Sequence, residues 1–296
     1  MVDLDAIIKL HVAGKVEEAA EGYALQLETS DPSPIAANNL AIILQKRARH
    51  DRAIQLFSQA IHLKPDYPEA YCNRANSFVA LSRNLEAEND FKSALAYRPS
   101  YINAMRNYGA LLAHSERYEE AYRLFSNALE LNTKDSGLLS NLLNVCLALE
   151  NFRQAEEIVG RVGGPASLTT FDQQMIWVSL LSELSGNQAA KEYLNTVVAH
   201  SDIEESRVMI AQATLSDDPD EKIECFKSAL MITPTAIDAL INLGICYLER
   251  KRFDLADKYL TQAMAQSTEN AVAFLNLGVL RRKQGRKIEA IELFTR

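Results

Sequence analysis

The 296-residue chain carries 39 acidic against 31 basic residues, a net charge of −8, with 48% hydrophobic residues. Glycine and proline together number 19, about half the usual ~12% share, too few for the turns of an all-β protein or for a long disordered linker, so an all-α chain is expected. The acidic balance disfavours a phosphate-neutralising face and hence nucleic acid as a partner; the start Met1-Val2-Asp3-Leu4-Asp5 lacks the basic, apolar character of a secretory signal, and no apolar window reaches a membrane-spanning length, so a cytoplasmic chain without membrane insertion is expected.

The four cysteines, Cys72, Cys146, Cys225 and Cys246, stand far apart, with no Cys-x-x-Cys pair and no histidine at ligand spacing. They are expected as small apolar side chains, with no disulfide framework, no metal and no cofactor.

A 34-residue period organises everything else. Ala19, Ala53, Ala87, Ala121, Ala155 and Ala189 follow one another at that interval, and the series resumes one residue short at Ala256 and Ala290. Four residues later stand Tyr23, Phe57, Phe91, Phe125, Val159, Tyr193, Phe226, Leu260 and Phe294, and three further on Ala60, Ala94, Ala128, Ala229 and Ala263. Twelve residues before the first column come Ala41, Ala75, Gly109, Gly244 and Gly278, while Pro65, Pro99 and Pro234 close three periods.

Taken in chain order, residues 1–33 form a first repeat and 34–67, 68–101 and 102–135 three regular ones. In 68–101 the apolar spacing predicts helices over Ala70–Leu81 and Leu85–Tyr97, joined by a short polar break. Small residues let two such antiparallel helices approach closely, and the aromatic fills the gap against the next repeat. Repeat 136–169 keeps Ala155 but puts Leu143 and Val159 where small and aromatic side chains belong, and it ends in the breaker Gly163-Gly164-Pro165. Repeats 170–202 and 203–236 are degenerate, with Trp177 at the small position and Lys222 where alanine belongs. Regular spacing returns in 237–270, and 271–296 stops at Arg296 inside its second helix. The domain reading is therefore an N-terminal block 1–162, a degenerate joint 163–236 and a C-terminal block 237–296. Because the apolar pattern runs to the last residue, where a solenoid normally carries a polar cap, either the chain continues in a longer protein or its uncapped last repeat self-associates.

The columns resemble the tetratricopeptide repeat (TPR) pattern over essentially the whole chain. The resemblance implies a right-handed superhelix, an α-solenoid of about eight full helix-turn-helix repeats plus a truncated ninth, in which the first helix of each repeat lines a concave groove. At the sixth position of six repeats stand Asn39, Asn73, Asn107, Asn141, Asn242 and Asn276, with Asn38, Asn76, Asn144 and Arg106 nearby. An asparagine amide offers donors and an acceptor that can pair with the C=O and N–H of an extended peptide. First helices about 10 Å apart would meet a chain advancing about 3.3 Å per residue once in three residues. This arrangement is similar to the asparagine ladder in the TPR superhelix of O-linked N-acetylglucosamine transferases, whose groove holds acceptor polypeptides. The carboxylate clamp of TPR co-chaperones fits less well, since Arg106, Lys46 and His114 supply no complete basic set.

No glycine-rich phosphate loop or nucleophile-elbow motif occurs, and the five histidines fall at unrelated phases of the repeat, so this chain itself is not expected to be an enzyme. The expected function is a protein–protein interaction module holding an extended polypeptide or partner protein in the groove. Its alternatives are a self-assembling scaffold and the TPR domain of a glycosyltransferase-type enzyme.

Overall fold

The computed structural model describes residues 3–267 and 270–295; Met1, Val2 and Arg296, on which the reading of the two ends drew, lie outside them. Among the described residues there are eighteen α-helices, one 3-10 turn over Pro165–Ser167 and no strand. They group into two compact units, Met1–Asn151 and Phe152–Arg296.

The first unit holds α1 (Leu4–Val12), α2 (Val16–Leu27), α3 (Pro34–Lys46), α4 (His50–Leu63), α5 (Pro68–Ala80), α6 (Asn84–Tyr97), α7 (Ile102–His114), α8 (Tyr118–Leu131) and α9 (Ser136–Ala148). Each helix packs on the next in sequence, and the odd-numbered ones also touch across the stack, α3 with α5, α5 with α7 and α7 with α9. That second set of contacts makes α3, α5, α7 and α9 a continuous helical face.

Local chemistry sets the helix boundaries. Pro34 and Pro68 open α3 and α5, where a missing N–H costs nothing. The Ser33 hydroxyl accepts from the Ile35 amide and the Asp135 carboxylate from the Leu138 amide, capping α3 and α9. Each turn between paired helices then closes on one device: the Arg49, Arg83 and Arg117 amides donate back to Leu44, Phe78 and Leu112 carbonyls at 2.8–2.9 Å. This is a Schellman closure, which needs a left-handed residue just before the donor. That residue is Ala48, Ser82, Glu116, Glu150 and Lys251 in turn, with φ between 53° and 59°, and glycine in the first and last repeats, Gly14 and Gly285. A side chain in this region costs about 1–2 kcal/mol, while glycine's extra unfolded-state freedom costs about 0.4–1 kcal/mol. Ser82→Gly and Glu116→Gly are therefore each expected to stabilise the first unit by about 0.5–1 kcal/mol, read as a higher urea midpoint at unchanged slope; a lower midpoint would show that these turns are not strained.

The core follows the columns. Ala19, Tyr23, Ala53, Phe57, Ala87, Phe91, Ala121 and Phe125 are all buried to within 1%, each large ring being worth about 1.5–3 kcal/mol of burial. Polar links join successive repeats as well. Glu88 on α6 accepts from the Tyr108 hydroxyl at 2.9 Å and pairs with Arg117 at 2.7 Å and Lys92 at 2.7 Å. Hydrogen bonding from the Arg117 guanidinium, then from Lys92, holds the Glu88 carboxyl down at about 2.

The second unit holds α10 (Phe152–Arg161), α11 (Phe171–Ser185), α12 (Asn187–Leu194), α13 (Asp202–Leu215), α14 (Pro219–Ile232), α15 (Ile237–Glu249), α16 (Phe253–Gln266), α17 (Ala271–Lys283) and α18 (Lys287–Phe294). Here one column departs from the sequence expectation. Ala189 and Tyr193 are only half-buried, and the fully enclosed positions of α12 belong to Ala190 and Leu194. The cause is the turn before it: α11 runs on to Ser185 and reverses at the single residue Gly186, with φ 87°, so α12 starts late and its buried stripe slips by one. Trp177, which takes the small position of its repeat, is 4% exposed on α11, and its indole N–H has no partner among the described residues.

Candidate functional site

The asparagines expected to form a ladder occupy one position on successive helices. Asn39, Asn73, Asn107 and Asn141 are each the sixth residue of α3, α5, α7 and α9, and all four are half-buried on the face those helices share. What fixes the orientation of the first three is a seam of polar contacts between neighbouring helices. The Asn39 amide donates to the Tyr23 hydroxyl at 3.1 Å, and Asn38 to the Asn39 carbonyl oxygen Oδ1 at 3.3 Å. Asn73 donates to Asn38 Oδ1 at 3.2 Å, and Asn107 to Asn76 Oδ1 at 3.0 Å. From the level below, Gln45 Nε2 reaches the Asn73 backbone carbonyl at 2.8 Å and Ser77 Oγ at 2.9 Å.

The expected site residues differ in the partners the structure gives them. Asn38 is 4% exposed and links Asn39 to Asn73 from beneath the face. Asn76 keeps both amide hydrogens free of partners among the described residues, and Asn107 keeps its carbonyl oxygen free. Asn141 and Asn144 make no side-chain hydrogen bond among the described residues. In the second unit Asn242 and Asn276 instead donate into their own helices, to the Asp238 and Val272 carbonyls at 2.9 and 2.8 Å. Arg106 is paired with Asp135 through its guanidinium.

Two cavities open on this face. One, about 340 Å³, lies between α5 and α7 against Asn76, Val79, Asn107, Ala110, Leu111 and His114. The other, about 230 Å³, lies between α7 and α9 against Ala110, Ala113, Phe125, Asn141, Asn144 and Val145. Their apolar linings were not legible as a site, because Val79 and Ala110 look in sequence like ordinary helix surface; only their phase, six residues past Asn73 and three past Asn107, marks them.

No nucleophile is prepared on this face. Cys72, whose Sγ lies 4.0 Å from the Asn107 amide nitrogen, is buried, and burial pushes its thiol up to about 12; burial likewise raises Cys146 to about 11. Such thiols are not thiolates at neutral pH and act as small apolar groups. Among the described residues no cluster of three or more His, Cys, Asp or Glu side chains is placed to hold a metal ion, and no helix is long and apolar enough to cross a membrane.

Paired antiparallel helices, a small-residue and aromatic core on a 34-residue period and a shared first-helix face define a helical repeat protein of the two-helix type. Models of the tetratricopeptide repeat match residues 43–82, 72–136, 112–166 and 239–271, together more than half of the chain, and the chain belongs to the TPR family. It is 21% identical over 233 residues to tetratricopeptide repeat protein 6 of Homo sapiens, covering 77% of this chain and 38% of that protein. It is 27% identical over 110 residues to a UDP-N-acetylglucosamine–peptide N-acetylglucosaminyltransferase of Giardia intestinalis, covering 37% of this chain and 7% of that one. The chain therefore spans well under half the length of these curated relatives. In fold it is similar to the solved structure of a tetratricopeptide repeat protein from Parabacteroides merdae, with a TM-score of 0.55 at 16% identity over 82% of this chain and 96% of that one.

Proposed function

We propose that the chain is a protein–protein interaction module whose α3–α5–α7–α9 face holds an extended, flexible polypeptide through its main chain. The observation that carries this reading is the seam: hydrogen bonds between neighbouring repeats fix the rotamers of Asn39, Asn73 and Asn107 while leaving amide groups of Asn76, Asn107, Asn141 and Asn144 open beside two cavities. Amides held in place before binding lose little side-chain entropy when a ligand arrives. They read C=O and N–H groups that every peptide carries, so the ligand's identity is set mainly by what fills the cavities. The second unit contributes less to this reading, because Asn242 and Asn276 spend their donors on their own helices.

The test is a screen of a diverse peptide array, followed by fluorescence anisotropy on the peptides that bind. Asn107→Ala and Asn141→Ala are each expected to weaken binding by roughly 2- to 13-fold, the equivalent of one net hydrogen bond of about 0.5–1.5 kcal/mol. Asn242→Ala is expected to leave it unchanged. Peptides that bind as tightly to an Asn107→Ala/Asn141→Ala double variant, with its helicity intact, would overturn the assignment of this face.

A further inference from the structure

We infer that the polypeptide taken by this face is uncharged, lies in the polyproline II conformation and places an apolar side chain at every third residue. The inference rests on the reading just given and specifies its ligand.

The first argument is one of period. The two cavities repeat one device one repeat apart: Asn107 of the first recurs as Asn141 of the second, Val79 as Ala113 and Leu111 as Val145, with Ala110 bordering both and a further amide added by Asn76 on α5 in the first and by Asn144 on α9 in the second. Packed helices stand about 8–10 Å apart. A β-strand covers that distance in three residues, at about 3.3 Å each, but its side chains alternate between faces, so a residue filling one cavity leaves its third neighbour pointing away from the next. Polyproline II has three residues per turn and advances about 3.1 Å per residue, which returns a side chain to the same side after about 9.3 Å. It is the extended form whose own period matches that of the receptor.

Backbone chemistry agrees. Polyproline II makes no internal hydrogen bonds, so its carbonyls stand free for the two unpaired N–H groups of Asn76 and for the amides of Asn141 and Asn144.

Charge supplies an independent argument. Along this face Arg106 is closed by Asp135 and Glu69 by Arg98 at 2.7 Å. A charged ligand side chain would have to break one of these pairs or lose its water without compensation. Lys46 and His114, at the ends of α3 and α7, are the basic side chains of these helices' last turns.

The experiment uses three blocked, fluorescein-labelled twelve-residue peptides. The first repeats leucine, proline and glutamine four times. The second has the same composition, with leucine at alternate positions and the prolines gathered at one end. The third replaces each glutamine of the first by glutamate. The first is expected to bind at least tenfold tighter than either of the others, with an affinity that changes less than twofold between 50 and 500 mM salt on the order of screening for uncharged groups. Ala110→Glu, at an exposed helical position bordering both cavities, is expected to weaken the first peptide at least tenfold. If the alternating or the acidic peptide binds as well as the first, the period or the charge argument is wrong and the inference falls, although the groove reading survives wherever Asn107→Ala still weakens the array's own ligands. An array with no binder sensitive to Asn107 or Asn141 sinks both.

Discussion

Replacing Asp90 by alanine is expected to destabilise the first unit by about 3–5 kcal/mol, whereas replacing Arg74 and Asp90 together by leucine is expected to leave it as stable as before or more so. Arg74 on α5 grips Asp90 on α6 with both ends of its guanidinium, Nε to Oδ2 and Nη2 to Oδ1 at 2.7 Å each, and sends Nη1 to Ser58 Oγ at 2.9 Å. The two side chains are only 19% and 8% exposed, and the guanidinium lies 5.7 and 5.8 Å from the Tyr71 and Phe78 ring centres. Removing the carboxylate strands a cation in this pocket, and the cost is the desolvation of that uncompensated charge, not the net worth of the pair. The double replacement has a precedent in the same chain: one period earlier, the equivalent positions are Leu40 and Leu56. Urea unfolding of the two variants beside the parent chain reads the difference. A loss under about 1 kcal/mol for Asp90→Ala would show that water reaches the pair and that it behaves as a surface ion pair.

That pair also shows which part of the structure could be read in advance. The columns were legible because burial forces one residue size at one phase, and Ala53, Phe57, Ala87 and Phe91 sit where the period put them. Arg74 and Asp90 break two apolar columns within one repeat, and two simultaneous breaks of opposite charge are the sequence signature of a closed pair. The slip from Ala189 to Ala190 was not legible, because it depends on how long α11 runs before Gly186, and no column records the length of a turn. The left-handed turn residue was only half visible: Gly14 and Gly285 mark it, but Ala48, Ser82 and Glu116 at the same phase hide it.

At the candidate site the sequence located side chains without orienting them. A 34-residue interval places Asn39, Asn73, Asn107 and Asn141 on one face whatever their rotamers. Orientation came from residues at other phases, Tyr23, Asn38 and Asn76, whose hydrogen bonds cross between helices to Asn39, Asn73 and Asn107. Arg106 shows the same limit. Its partner Asp135 also caps α9, accepting from the Leu138 amide at 3.0 Å, so a residue legible as a helix start also pairs with Arg106.

The contact between Gly109 and Phe125 carries the other large expected effect. A Cβ placed on Gly109 would lie 2.7 Å from Cε1 and 2.9 Å from Cζ of Phe125, whose ring is 1% exposed, so neither partner has room to retreat. The same geometry recurs in the second unit, where a Cβ on Gly244 would come within 2.6 Å of Leu260. Gly109→Leu is therefore expected to cost about 3 kcal/mol or more by overpacking, and Phe125→Ala about 3–5 kcal/mol by leaving a cavity. Combined, the two changes exchange large for small across one contact, and the double variant is expected to lose less than either single one. The sequence already carries that exchange one repeat on, where Leu143 stands in the small column and Val159 in the aromatic one. A double-mutant cycle by urea unfolding measures the coupling directly. If the two losses simply add, Gly109 and Phe125 do not share the space assigned to them, and the small-residue column is kept for helix backbone geometry alone.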